Sequence, residues 1–372
     1  MLWRPEEHEP LIDQEWDPGI AREAITEIVA DVEAAAEDST WPNHPLDEVP
    51  DEERFCSLYF GGAGMVWGLH RLGSNLDLPA AIAAALERYR TAPAGEESTH
   101  APSFLLGETG ILAVAQKLGA PIADERRLSD LVRANREHQT WELLRGSPGT
   151  MIAARACGLE REWQESAALL YDHWDPDCDM WTHDLDGDIW PFIGAGHGFA
   201  SNVHALRGFV DDDILKARTA SLLTRTAHRE DGLVNWPPLD RPWSEQEPKI
   251  RVQWCHGAPG IIITLADLMP PEMAIAGGEL IWRAGPLRKG PGLCHGTAGN
   301  GFAFLKLHEL TSDELWLNRG RRFAMHAIGQ VARHKQRYGR GRYTLWTGDI
   351  GAALYVQACL DADPAFPITD KL

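Results

Sequence analysis

Short apolar stretches recur along this chain, and each opens with the same punctuation, Gly-x-x-Gly. The copies are GGAGMVWGLHRLG from Gly61, GETGILAVAQKLG from Gly107, GSPGTMIAARACG from Gly146 and GFASNVHALRG from Gly198. They continue with GAPGIIITLADL from Gly257, GTAGNGFAFLKL from Gly296 and GDIGAALYVQACL from Gly348. In the fourth copy Ser201 stands at the second glycine position. Each stretch is apolar on nearly every side at helical spacing, which predicts a helix buried on most faces. Between copies lie segments with one polar face, such as PAAIAAALERYR from Pro79 and DDDILKARTASLLTRTAHR from Asp211; these predict half-solvated helices. The glycines suit tight turns, because glycine supplies positive φ and lets backbones approach closely.

Successive first glycines lie 46, 39, 52, 59, 39 and 52 residues apart, room for one helix pair each. Strand-like alternation is scarce, so the fold class is all-α. Repeats of this size fit an α/α toroid or an α-solenoid. Closed into a ring, seven pairs would gather seven glycine turns at one end, around a concave site. No linker divides the repeats, so residues 1–372 read as one domain. Residues 1–40 form an acidic N-terminal extension with a helix, IAREAITEIVADVEAAAE from Ile20, started at Asp17-Pro18.

Composition narrows the function. With 35 Lys+Arg against 55 Asp+Glu the net charge is −20, a field that repels nucleic acid and favours a monomer. No run approaches the roughly 18 apolar residues a membrane helix needs, and the acidic N-terminus has no signal-peptide profile, so a soluble cytoplasmic protein is expected. Six cysteines, at 56, 157, 178, 255, 294 and 359, lack a disulfide spacing. Metal binding or simple burial accounts for them better.

Three turns carry His or Cys just before the glycine: GAGHG with His197, WCHGAPG with Cys255 and His256, and LCHGTAGNG with Cys294 and His295. Neighbouring turns of a ring would bring these groups together. Two thiolates and an imidazole suit Zn²⁺, and three protein ligands would leave a fourth position open for chemistry. All four of Cys255, His256, Cys294 and His295 binding would instead make a closed, structural site. The stretch from Asp172 to Trp190 alternates Asp184, Asp186 and Asp188 but lacks the later Glu of a calcium loop. It reads as a loop rimming the cavity, walled by Trp174, Trp181 and Trp190.

The motifs SLYFGGAG, ELLRGSPG, GAGHG, RVQWCHGAPG and RKGPGLCHGTAGNGFAFL, from Ser57 to about Gly351, resemble the lanthionine synthetase C-like family. The wording of WELLRGSPG and KGPGLCHGTAGNGFAFL is closer to its stand-alone, glutathione-associated branch than to dedicated lantibiotic cyclases. The resemblance implies a double α-barrel of seven inner and seven outer helices. It implies zinc ligation by Cys255, Cys294 and His295 and assigns no ligand to the position of His256, which reads as a substrate-binding residue. It implies an acid/base role for His197 and an electrophile-facing role for Arg251. Lys289 would lie where a substrate phosphate could dock. Glu142 stands where lantibiotic cyclases usually carry Asp as partner of the catalytic base. The expected function is zinc-dependent activation of a thiol, glutathione or a peptide Cys, for addition to dehydroalanine or dehydrobutyrine in a peptide or protein, giving a thioether. The alternative is a non-catalytic, zinc-stabilised protein that binds glutathione or a peptide.

Overall fold

The computed structural model describes residues 1–372 except 48, 51, 96, 186 and 241–249. Among the described residues, the first seven α-helices are α1 (Pro18–Ala34), α2 (Gly62–Arg71), α3 (Leu78–Thr91), α4 (Glu108–Lys117), α5 (Glu125–Ala134), α6 (Ser147–Ala156) and α7 (Glu160–Asp172). The others are α8 (Phe199–Leu206), α9 (Asp212–Thr226), α10 (Ala258–Leu265), α11 (Pro271–Ala284), α12 (Thr297–Thr311), α13 (Glu314–Tyr338) and α14 (Asp349–Asp361). Every even-numbered helix is one of the apolar stretches, capped by the first glycine of its turn. These helices pack in sequence order, α2 on α4 and onward to α12 on α14, and α14 packs back on α2. The ring is therefore closed, and the solenoid alternative falls. The odd-numbered helices form the outer layer of an α/α toroid. Its outer wall includes α1, which the sequence placed in an N-terminal extension. The Asp17 carboxylate caps α1 by accepting from Gly19 N and Ile20 N, and the helix packs against α14 and α13.

The turns work by close approach rather than by left-handed backbone. Of the seven first glycines only Gly257 has positive φ, at 112°. Both glycines are crowded by backbone: a Cβ on Gly61 or Gly257 would sit 2.0 Å from the Phe55 or Arg251 carbonyl oxygen, and one on Gly260 or Gly299 would sit 1.8 Å from that of Trp254 or Leu293. Six of the seven turns thus fold their backbone onto the start of the inner helix, where no side chain fits; in the fourth the second position is Ser201, whose hydroxyl donates to Gly198 O at 2.7 Å.

Among the described residues, two short antiparallel hairpins interrupt the helices. Strands β1 (His183–Leu185) and β2 (Asp188–Trp190) form one, and β3 (His228–Glu230) and β4 (Leu233–Asn235) the other. In the first, Asp184 accepts from Gly187 N and so caps the hairpin turn. Asp186, the middle member of the Asp alternation, lies outside the described residues. Trp181 is not a cavity wall. It is fully buried, packed edge-on to Trp174 and tilted against Phe199.

After α14 the chain turns back into the ring. Phe366 is fully buried, stacked on Trp254 at 5.1 Å and edge-on to Phe302. Trp254 immediately precedes Cys255, so this tail supports the turns from beneath. Among the described residues no helix is long and apolar enough to cross a membrane.

Candidate functional site

One register organises the site. The residue two before the first glycine is Tyr59, Leu105, Leu144, Gly196, Cys255, Cys294 or Trp346 in the successive turns. Backbone bonds at this position lace neighbouring turns together: Tyr59 N donates to Leu105 O at 2.8 Å, Gly196 N to Cys255 O at 3.4 Å, Cys255 N to Cys294 O at 3.3 Å and Cys294 N to Trp346 O at 2.8 Å. Tyr59 stacks on Trp346 at 5.5 Å and so links the last turn to the first. Side chains at one repeat position therefore meet although they are far apart in sequence.

The two thiols are a product of this lacing. Cys255 and Cys294 are both buried and free, and the Cys294 thiol donates a hydrogen bond to the Cys255 sulfur. That bond lowers the Cys255 thiol to about 7, with His197, Arg251 and Lys289 adding to the pull against burial. The same bond, with burial, holds Cys294 well above the ordinary thiol range. Two further groups touch the pair. The Tyr59 side chain lies against Cys294 and favours its thiolate, and the Cys255 thiol points to Gln253 Oε1 at 3.7 Å. Sequence reasoning missed both, although Tyr59 shares the repeat position of the two cysteines and that register could have found it.

The residue one before the glycine supplies His197, His256 and His295. His197 Nδ1 donates to Glu142 Oε2 at 2.9 Å. Burial pulls His197 down, but the Glu142 carboxylate wins and leaves it above its ordinary value. Burial likewise works against the ionised Glu142, and the His197 contact and two backbone amides hold it below the usual carboxylate range. Glu142 has a second task. It accepts from Leu144 N at 3.0 Å and Arg145 N at 2.6 Å, closing its own turn. Ser57, Ser103 and Thr344 hold the same repeat position and accept the equivalent amide in their turns. Glu142 both closes its turn and reaches the next turn's histidine.

His256 stacks on His197 with centroids 5.5 Å apart, and burial pushes it down to about 3. Glu142, Arg145, His183, Phe192, His197 and His256 line a cavity of about 300 Å³, with Leu185 of the β1–β2 hairpin on its wall. Arg251 and Lys289 act on this cluster by charge: both favour the Cys255 thiolate, and both depress His295.

The donor set fits Zn²⁺ in its chemistry. The thiols are paired and dry, and burial pushes His295 down to about 4, keeping it in the neutral form that binds metals. The geometry gathers this set only in part. Among the described residues no three His, Cys, Asp or Glu side chains form a group that could hold a metal ion. Cys255 and Cys294 meet, and His295 is not drawn in with them.

Known proteins agree with this architecture. The sequence model described as Lanthionine synthetase C-like protein matches residues 13–370. A zebrafish (Danio rerio) protein named Glutathione S-transferase LANCL1 is 37% identical over 124 residues, 31% of this chain and 30% of its own. An Arabidopsis thaliana protein, LanC-like protein GCL1, is 35% identical over 194 residues, 48% of this chain and 42% of its own. The matched segments thus span less than half the length of these curated relatives. Nisin cyclase has the same fold, with a TM-score of 0.56 over 93% of this chain and all of its own, at 13% identity. The chain belongs to the lanthionine synthetase C-like family.

Proposed function

We propose that this protein forms thioethers, adding the thiol of glutathione or of a peptide Cys to a dehydroalanine or dehydrobutyrine residue of a peptide or protein. The observation that carries the reading is the meeting of an acid/base pair, His197–Glu142, with a pair of buried thiols on the adjoining turns. In the addition, the sulfur lone pair forms a C–S bond at the β-carbon, and the C=C π electrons move onto the acyl group as an enolate. The thiol proton, or one from solvent, ends on the α-carbon.

Cys255, Cys294 and His295 would hold a Zn²⁺ ion, which acidifies a nearby thiol so that more of it is thiolate at neutral pH. The chain's own residues do the rest. His197 takes up a proton from the thiol and returns one to the α-carbon, and Glu142 fixes its Nδ1–H so that Nε2 faces the cavity. His256, kept neutral by burial, stacks on this ring and limits its rotation. Arg251 places positive charge near the developing enolate, where the dry surroundings strengthen its effect. Lys289 provides a second cation for an anionic group of the substrate.

The test is incubation of zinc-loaded protein with glutathione and a dehydroalanine peptide, read by mass spectrometry. The expected product is a peptide one glutathione heavier, formed well above the enzyme-free rate. A zinc-loaded protein that leaves that rate unchanged would refute catalysis and favour binding alone.

A further inference from the structure

On the outer wall, away from the thiols, α1 and α13 part to leave a cavity of about 330 Å³. Its walls are apolar, with Ile28 from α1 and Ile328 and Val331 from α13. Its polar members are unequal. Asp31 is fully engaged, with Oδ1 taking Lys335 Nζ at 2.5 Å and Oδ2 taking the Tyr343 hydroxyl at 3.1 Å. Asp349, at the start of α14, is only 3% exposed and accepts from Arg342 N through Oδ2 at 2.9 Å. Its Oδ1 is buried without a hydrogen-bond partner.

A buried carboxylate oxygen left unpaired is costly, and Asp349 is one of the residues at the wall of this cavity. With Glu27 at the rim, the lining carries three carboxyl groups against the single ammonium of Lys335. An anion would meet repulsion here, and a neutral apolar molecule would leave Oδ1 unpaired. The cavity volume is at the small end for a ligand site. We propose that this cavity is a binding site for a small amphipathic amine, its alkyl or aryl stem against Ile28, Ile328 and Val331 and its ammonium donating to Asp349. Burial raises the Asp349 carboxyl to about 7, with Asp31 adding to the rise, so an arriving cation stabilises the ionised form it pairs with. The site stands apart from the thiol chemistry and does not depend on it.

Calorimetry with n-hexylammonium chloride tests this, with n-hexanol as the stem without charge and ammonium chloride as the charge without stem. One molecule of hexylammonium should bind per chain, roughly ten-fold or more tighter than either comparator. Asp349→Asn should weaken hexylammonium by a similar factor and leave hexanol unchanged. Ala332→Phe, at an exposed position on the cavity wall, should block hexylammonium while sparing every carboxylate, and it decides the matter if the Asn variant does not fold. Equal affinity for hexanol and hexylammonium, unchanged binding by either folded variant, or no binding at millimolar concentration would each overturn the proposal.

Discussion

Replacing Glu142 by Gln removes one negative charge from a buried carboxylate that accepts four hydrogen bonds, from His197 Nδ1 at 2.9 Å, Leu144 N at 3.0 Å, Arg145 N at 2.6 Å and, longest, the Thr140 hydroxyl at 3.5 Å. An amide has one accepting oxygen. In either orientation its NH₂ faces at least one backbone N–H, which then loses its partner. Hydrogen bonds to charged groups contribute about 1.5–3 kcal/mol each, so the substitution should cost about 2–4 kcal/mol in urea unfolding. The loss should depend on pH. His197, raised in the fold, contributes stability that is full below its ordinary 6.5 and lost as pH rises through its folded value. Glu142, lowered, contributes stability present above its ordinary 4.5 and lost as pH falls through its folded value. The difference between wild type and Gln variant should therefore be largest between pH 4.5 and 6.5. Glu142→Ser separates the two tasks. A serine can close the turn as Ser57 and Ser103 do, but cannot reach His197. It should recover part of the stability while the His197 imidazole, followed by NMR titration, falls from its raised value as it does in the Gln variant. A Gln variant with wild-type urea midpoint and unmoved His197 titration would refute the reasoning.

Three other outcomes follow from the same geometry. His197→Asn should lower kcat for glutathione addition by about 100-fold or more while leaving bound zinc unchanged, checked by steady-state kinetics and metal analysis. Zinc-loaded wild type should melt higher than chelated protein, and Cys294→Ser should abolish that difference; a melting temperature indifferent to the metal would count against the ligand set. Phe366→Ala should cost about 3–5 kcal/mol by opening a cavity under Trp254, seen as a lower urea midpoint with altered tryptophan fluorescence.

The glycine punctuation and the apolar stretches were enough to give helix number, the inner and outer layers and the position of the turns, because helical burial on all faces is written in local composition. The same pattern aligned Cys255, Cys294 and the three histidines at corresponding repeat positions. Local sequence does not say whether a chain of repeats closes. That was decided by the packing of α14 on α2, and with it the stacking of Trp346 on Tyr59 that brings Tyr59 to Cys294. Nor did the sequence place α1 in the outer wall, separate the buried Trp181 from the cavity or send Phe366 beneath the turns, since each depends on contacts across large sequence separations. The charge states are tertiary as well. The family resemblance already set Glu142 beside the base, but only the ring supplies the burial and the shared hydrogen bond with His197 that together shift both groups.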